Sequence, residues 1–314
     1  MKPESTSMTP DVAVRHLRIS SEQAGQRIDN FLVHQLKGVP HSHIYRILRG
    51  GEVRVNGGRV KPPYRLQTDD QIRIPPLRAA LPAPRATLGE SFLQTLERSI
   101  LFEDHRLLVI DKPAGLAVHG GSGIRTGVIE GFRQLYPEIE TLELVHRLDR
   151  DTSGCLMIAK RRSMLRWLHE AMRQHQVEKR YLAVLTGTLS RGVAVTVPLR
   201  KNVLKSGERM VRVAADGKPA ETRFRVLAPV ALGTLVEAEL LTGRTHQIRV
   251  HAAHLGHPVV GDEKYGQVTA EGPRRMLLHA WKIGVSLESG SSLSHFEAAP
   301  DPRYFPLNTS GSSR

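Results

Sequence analysis

The sequence predicts an α+β protein, in which a large domain with a mainly antiparallel mixed sheet and peripheral helices follows a small α/β domain. Apolar runs of strand length recur between residues 107 and 287, too closely spaced for regular strand–helix alternation. A helical segment, MLRWLHEAMRQHQ, lies between two of them. A proline-rich stretch, residues 76–90, separates these runs from two short helices and a hairpin.

Composition along the chain predicts five parts. The polar ends, residues 1–12 and 306–314, are predicted to be disordered tails. Residues 13–75 form the small domain, and residues 91–305 form the large one. The prolines and alanines of residues 76–90 favour an extended, semi-rigid linker between them.

The small domain opens with two predicted helices. Apolar residues of QRIDNFLVHQL recur at helical spacing, and HSHIYRILRGG predicts a second helix that ends at its two glycines. VRVNGGRV predicts two short strands, because its Asn-Gly dipeptide suits a two-residue hairpin turn. The alternating segment QIRIPP then closes the unit as a strand.

The large domain contributes most of the predicted strands. Cys155 is the one cysteine of the chain, so an internal disulfide and a cysteine-based metal site are excluded. Because it lies in an apolar run, we predict a buried thiol. The predicted strands are LLVIDK, CLMIAK, YLAVLTG, VAVTVPL, TRFRVLA, TLVEAELL and KIGVSL.

The charge of the chain indicates a polyanionic partner. It carries 45 Lys and Arg against 31 Asp and Glu, a formal net charge of +14, and its pI is near 10.3. Such an excess favours nucleic acid over a membrane, and no uninterrupted apolar run reaches about eighteen residues. The start, MKPESTSMTPD, lacks the apolar core of a signal peptide, so we expect a cytoplasmic protein.

The segment HRLDRDTSG, residues 146–154, is the strongest candidate for chemistry. It places Asp149 between Arg147 and Arg150, and opposite charges favour the ionised carboxylate. The hydroxyl residues and the glycine that follow suit a tight loop that hydrogen-bonds its own backbone. By itself the segment also fits a solvated charged turn.

Three further segments decide between these interpretations. In chain order they are LLVIDKPAGLAVH (107–119), KRYLAVLTG (179–187) and GRTHQIRVHAAHLGHPVVGDEKYG (243–266). Together with HRLDRDTSG they resemble the motifs of the RluA-type pseudouridine synthases, over about residues 95–285. The resemblance implies a sheet with a central cleft and an isomerase that turns uridine into pseudouridine in RNA. This reaction imports no group and changes no oxidation state, so no cofactor is expected.

The resemblance also implies roles for individual residues. Asp149 is the catalytic carboxylate, acting either as a nucleophile or as a base. Arg244 pairs with it, and Tyr181 packs on the target base; the alternatives are a surface arginine and a core tyrosine. Arg147 enters the RNA helix where the uridine leaves. Asp151, whose position varies in the family, is expected to have no special role.

The small domain resembles the RNA-binding module named after the fourth small-subunit ribosomal protein. The resemblance implies that its second helix and the loop before the hairpin lie against RNA, and the alternative is a generic basic surface. Phosphate contacts by Lys and Arg give salt-dependent affinity without sequence preference. The matching basic residues are Arg46, Arg49, Arg54, Arg59 and Lys61.

The expected partner is RNA, with large-subunit ribosomal RNA as the substrate and the chain acting as a monomer without an obligate protein partner. The alternatives are other ribosomal or transfer RNA sites, a non-catalytic RNA-binding assembly factor and, least supported, a DNA-directed enzyme. No metal site is expected, although four histidines cluster within about twelve residues: His246, His251, His254 and His257.

Overall fold

The computed structural model describes residues 13–21, 23–36, 39–77, 88–120, 126–203, 209–266, 273 and 275–307. The chain divides into two compact units, Met1–Thr87 and Leu88–Arg314. The division falls within the predicted linker, of which residues 78–87 lie outside the described residues. The predicted N-terminal tail, residues 1–12, also lies outside the described residues. The predicted C-terminal tail lies outside them from residue 308 onwards.

The first unit contains the two predicted helices and a small sheet. Ile28, Phe31 and Leu32 of the first helix pack with Ile44 and Ile47 of the second in one apolar cluster. The sheet is antiparallel throughout, in the order β1-β4-β2-β3. The elements are β1 (Arg15–Arg18), α1 (Ile28–Gln35), α2 (His41–Arg49), β2 (Arg54–Val55), β3 (Gly58–Arg59) and β4 (Gln71–Ile74).

The predicted hairpin is confirmed. Asn56 and Gly57 both have positive φ, at 50° and 77°, which a two-residue hairpin turn of the favoured hand requires. The Asn56 side chain also donates to Asp70, and its carbonyl oxygen accepts from the backbone N–H of Gln71, at 2.8 Å each. The turn is therefore fastened to the start of β4.

The second unit is larger and contains four helices and twelve strands among the described residues. Its first half comprises α3 (Glu90–Arg98), β5 (Ile100–Glu103), β6 (Leu107–Lys112), α4 (Val128–Leu135), β7 (Glu143–Leu144), β8 (Ser153–Ala159), α5 (Arg162–Arg173) and β9 (Glu178–Leu185). Its second half comprises β10 (Val193–Val195), β11 (Leu199–Val203), β12 (Arg209–Val213), β13 (Thr222–Val230), β14 (Gly233–Leu240), α6 (Gln247–His254), β15 (Leu278–Val285) and β16 (Ser294–Glu297).

The main sheet of this unit has ten strands and is mixed, as the sequence predicts. Its path is β10-β13-β14-β9-β15-β8-β6-β5, with β16 paired to β15 and β7 to β8. Only β15 and β8 run parallel, and the other described pairs are antiparallel. The α+β class with a mainly antiparallel mixed sheet is therefore confirmed.

One predicted strand is divided. The segment VAVTVPL forms β10 and then leaves the main sheet, so that Leu199 begins β11 of a separate two-stranded ribbon. Pro198 precedes this change, and a residue without a backbone N–H favours the end of sheet pairing. The apolar run alone does not reveal the break, because both halves have strand composition.

Helices cover both faces of the sheet at β6 and β8. Leu107 and Val109 pack with α5 residues such as Leu168, whereas Leu108 and Ile110 pack in a cluster with residues of α3 and α4. Since alternate residues face opposite covered sides, β6 is a continuous apolar run rather than an alternating one. Of the helices that the structure describes, none combines the length and apolar character needed to cross a membrane.

Candidate active site

Asp149 lies in the loop between β7 and β8, at the end of the two strands that run parallel. Its carbonyl accepts from the backbone N–H of Thr152 at 3.2 Å, which closes a tight turn. Gly154 follows with φ of +109°, and a Cβ there would lie 2.2 Å from the carbonyl oxygen of Ala280 on β15. Only glycine therefore allows the loop to enter β8 this close to β15.

Lys112, at the end of β6, hydrogen-bonds to this loop. Its fully buried ammonium donates to the carbonyls of Pro113, Leu116 and Arg150, at 2.7, 2.8 and 2.9 Å. Burial lowers the pKa of Lys112 to about 7, against the opposing charges of Asp151, Asp149 and Asp111. Lys112 thus joins the LLVIDKPAG segment to the HRLDRDTSG segment that carries Asp149.

The partner of Asp149 is Arg249, on α6. Nη1 of Arg249 donates to Oδ2 of Asp149 at 2.9 Å, while Nε and Nη2 form a two-point pair with Asp262 at 2.7 Å each. Burial opposes the charged guanidinium, but Asp262 and then Asp149 raise the pKa of Arg249. Arg249 therefore links the catalytic candidate to a buried carboxylate.

This geometry corrects the predicted pairing of Arg244 with Asp149. Nε of Arg244 donates instead to the carbonyl of Pro219 at 2.9 Å, and its backbone N–H donates to Gln247 at 2.9 Å. Arg244 precedes α6, whereas Arg249 lies inside it, and the turn of the helix directs the latter toward Asp149. Both arginines belong to the GRTHQIR segment, and the one that pairs with Asp149 is Arg249 rather than the predicted Arg244.

His246 faces the other oxygen of Asp149. Its Nε2 lies 3.7 Å from Oδ1 of Asp149, and its Nδ1 lies 2.7 Å from the hydroxyl of Tyr265. Burial lowers the pKa of His246, with the charge of Asp149 opposing the shift and Arg249 adding to it. A neutral imidazole therefore stands beside the carboxylate at neutral pH.

A small cavity of about 70 Å³ brings the predicted residues of the large domain together. Arg147, Asp149, Tyr181 and Arg244 all line it, although Arg244 does so without contacting Asp149. Tyr181 projects from β9, opposite Ala238 of β14. Burial, and then the charge of Asp149, raises the pKa of Tyr181, so its phenol stays protonated.

A second, much larger cavity of about 1340 Å³ meets the first at Asp149. Arg147, Asp149, His246 and Arg249 line both cavities. The volume exceeds the range of about 300–1,000 Å³ that is usual for small-molecule pockets. The site therefore suits one group in the narrow part and a larger segment of polymer in the broad part.

The neighbouring carboxylate Asp151 also lines the larger cavity, but its partner is not Arg249. It forms an ion pair with Arg150 at 3.0 Å, and both side chains are well exposed. His251 of the histidine cluster is buried and bonds Thr222 and the carbonyl of Val197. Among the described residues no group of three His, Cys, Asp or Glu side chains is placed to hold a metal ion.

The basic residues of the small unit lie mostly at its surface. Arg46, Arg49, Arg59 and Lys61 are exposed and Arg54 is half-buried. Arg54 stands opposite Arg59 on one neighbouring strand and opposite Arg73 on the other, which makes a row of three arginines. No acidic side chain of the described residues forms an ion pair with any member of this arginine row. Arg73 was not predicted as an RNA contact.

Two family models match the two units. RNA pseudouridylate synthase matches residues 106–254, which include Asp149, Tyr181 and Arg249, and the S4 domain matches residues 26–72. A mixed sheet that holds a tethered carboxylate in an open polar cleft, in a chain that also contains an S4 domain, is thus the arrangement of an RNA-modifying isomerase.

Curated relatives and a solved structure indicate the same family as these models. Ribosomal large subunit pseudouridine synthase C of Pasteurella multocida is 52% identical over 299 residues, covering 92% of this chain and 91% of the relative. The protein of that name from Escherichia coli K12 is 50% identical, covering 93% and 94%. The structure of human RNA pseudouridylate synthase domain containing 1 superposes with a TM-score of 0.55 at 29% identity, covering 65% and 83%. The chain belongs to the RNA pseudouridylate synthase family.

Sequence reasoning missed four residues around Asp149: Arg249, His246, Asp262 and Tyr265. All lie in the quoted segment GRTHQIRVHAAHLGHPVVGDEKYG, so the signal was present in the motif. What the sequence lacked was the direction of each side chain. A charged residue such as Asp262 between glycine and a polar turn looks exposed, yet it is buried against Arg249.

Proposed function

We propose that this enzyme isomerises specific uridines of large-subunit ribosomal RNA to pseudouridine, with Asp149 as the catalytic carboxylate. The observation that carries the proposal is the position of Asp149, tied by one oxygen to Arg249 at the junction of a narrow and a broad cavity. The names of the bacterial relatives support the choice of substrate.

The reaction exchanges one bond of the uridine for another. The bond from the sugar C1′ to N1 of the base breaks, the base turns, and C1′ bonds to C5, which loses its proton while N1 gains one. A carboxylate promotes the first step by adding to C1′ or by removing a proton from the sugar. Both routes need the Asp149 oxygen that Arg249 does not occupy, namely Oδ1.

Tyr181 and Arg147 fit the two cavities in complementary ways. The protonated phenol of Tyr181 forms part of the narrow cavity, where its ring gives a face for the flipped base. Arg147 is exposed and lines both cavities, so a planar cation is available to fill the gap that the uridine leaves in the RNA helix. Arg244 also lines the narrow cavity and is proposed to contact the substrate rather than Asp149.

The small unit is proposed to hold the RNA through phosphate contacts of Arg46, Arg49, Arg54, Arg59 and Lys61. Four of these side chains are exposed, and phosphate contacts give affinity that falls with salt. The chain is proposed to act as a monomer. The ribosomal substrate supports a cytoplasmic location.

The test is a map of pseudouridine in total RNA from cells that lack this chain, complemented with the parent sequence or with Asp149→Ala. Restoration of large-subunit ribosomal sites by the parent alone is the expected result. The matched control is Asp151→Ala, which removes a neighbouring exposed carboxylate and should restore the same sites. Restoration of a transfer RNA site only would contradict the proposed substrate, and restoration by Asp149→Ala would contradict the proposed carboxylate.

A further inference from the structure

One short turn holds both groups that face Asp149. The segment 261–266 places Asp262 against Arg249 and Tyr265 against His246. Asp262 is itself fixed, because its Oδ1 accepts from the backbone N–H groups of Lys264 and Tyr265 at 2.9 and 3.1 Å. The turn thus determines the position of the two side chains beside the carboxylate.

The hydroxyl of Tyr265 has its accepting and donating roles assigned by its neighbours. Its oxygen accepts from the backbone N–H of Val211 at 2.9 Å. Burial raises the pKa of Tyr265, so the hydroxyl keeps its proton. Among the described residues, the acceptor that this hydroxyl reaches is Nδ1 of His246, at 2.7 Å. Nδ1 therefore accepts a hydrogen bond.

The tautomer of His246 follows from that bond. A neutral imidazole has one N–H, and when Nδ1 accepts, the hydrogen is on Nε2. Nε2 is the atom 3.7 Å from Oδ1 of Asp149. A shift of less than about 1 Å brings the pair within hydrogen-bond distance, and such contacts commonly shorten when substrate binds.

The backbone of His246 is held in an uncommon conformation to achieve this. Its φ is +53° and its ψ is +22°, in the left-handed region that residues other than Gly, Asn, Asp and His seldom adopt. The residue precedes the first turn of α6 and its backbone carbonyl accepts from Val250 at 2.9 Å. This backbone conformation places the imidazole between Tyr265 and Asp149.

We propose that His246 is a positioning residue, whose Nε2–H holds the free oxygen Oδ1 of Asp149 while Tyr265 fixes the required tautomer. Arg249 and His246 then hold one carboxylate oxygen each, and the carboxylate has a single orientation toward the sugar. The proposal rests on the proposed role of Asp149. His246 acts only through Asp149, whose Oδ1 keeps a second lone pair for the sugar.

Two substitutions of His246 separate the effect of the Nε2–H hydrogen bond from the effect of the backbone conformation. The amide nitrogen of His246→Gln reaches the position of Nε2, whereas that of His246→Asn reaches only the position of Nδ1. Asparagine is the better left-handed residue, so backbone strain alone favours His246→Asn. We expect His246→Gln to keep its rate within about threefold of the parent and His246→Asn to fall by about tenfold, the value of one hydrogen bond.

A double-mutant cycle with Tyr265→Phe then tests the tautomer. In the parent we expect Tyr265→Phe to lower the single-turnover rate about tenfold with unchanged RNA affinity, because the Nδ1–H tautomer becomes accessible. In the His246→Gln background the same change should cost less than about twofold, since an amide has no tautomer to fix. The Val211 N–H loses its acceptor in both backgrounds, so that structural effect cancels.

The substrate for these rates is total RNA from cells that lack the chain, so that a target in any class of RNA gives a signal. Equal losses on Tyr265→Phe in both backgrounds, or a more active His246→Asn than His246→Gln, would overturn the positioning role. The sites that the parent modifies test the proposed substrate separately, because the relative rates are measured at whichever sites those are.

Discussion

Arginines occupy opposite environments in the two units of this protein. Arg249 in the large unit lies between the carboxylates of Asp149 and Asp262 and is 11% exposed. The arginine row of the small sheet, Arg59, Arg54 and Arg73, consists of like charges in register across neighbouring strands. The guanidinium of Arg249 is already occupied by protein carboxylates, whereas the arginine row has uncompensated charge to offer phosphates. Neutralised arginine orients a reacting group, and uncompensated arginine binds a polyanion.

The largest expected effect concerns the paired arginine. Arg249→Lys keeps the charge but cannot bond two carboxylates in the fork geometry of a guanidinium, so the single-turnover rate should fall about 100-fold or more. The matched control, Arg244→Lys in the same motif, should lose less, since Arg244 bonds a carbonyl. A larger loss for Arg244→Lys than for Arg249→Lys would restore the pairing first predicted from the sequence.

The next effect is on stability. Asp262→Asn leaves Arg249 with one charged partner in a buried position, and removal of one member of a buried ion pair costs about 3–5 kcal/mol. Both tryptophans of the chain, Trp167 and Trp281, lie in the large unit, so their fluorescence during denaturant unfolding reports on that unit. Glu170→Gln removes an exposed pair with Arg173 in the same unit and should cost much less. Equal effects of the two variants would contradict the contrast between buried and exposed pairs.

A smaller effect appears in acid. Burial raises the pKa of Asp262, but the hydrogen bonds and charge of Arg249 outweigh burial and lower the pKa below its ordinary value of 3.8. A lowered pKa in the folded state contributes stability above the unfolded-state value, and this contribution is lost as the pH falls below it. The free energy of unfolding of the large unit should therefore drop below about pH 4 in the parent, and less steeply in Asp262→Asn. Parallel curves would contradict a stabilising role of this pair.

The smallest effect concerns the arginine row. Arg54→Gln removes like-charge repulsion from two cross-strand neighbours, so the small unit should gain about 0.2–1 kcal/mol in unfolding free energy. The same change should weaken RNA binding and reduce the slope of log affinity against log salt by about 1. Arg18→Gln, which removes an arginine already paired with Asp69 on the same sheet, serves as the control and should change the slope less. Weaker RNA binding without a change in slope would argue against phosphate contact.

Sequence and structure agree where the determining interactions are local. The hairpin at Asn56–Gly57 was predictable, because the conformational preference of those two residues is enough to specify the turn. The buried strand β6 was predictable from its apolar run. The break after β10 was not, because the change of sheet depends on which strands pair with each half of VAVTVPL.

By itself, the sequence determined the fold class, the family and the position of Asp149, because apolar patterning and a contiguous motif are properties of short segments. Only the tertiary structure decided which arginine meets that carboxylate. Arg244 and Arg249 stand five residues apart in one motif, and the start of α6 turns one toward Pro219 and the other toward Asp149 and Asp262. The ion pair between Asp149 and Arg249 joins residues one hundred positions apart, and its geometry exists only once the strands and helices have packed.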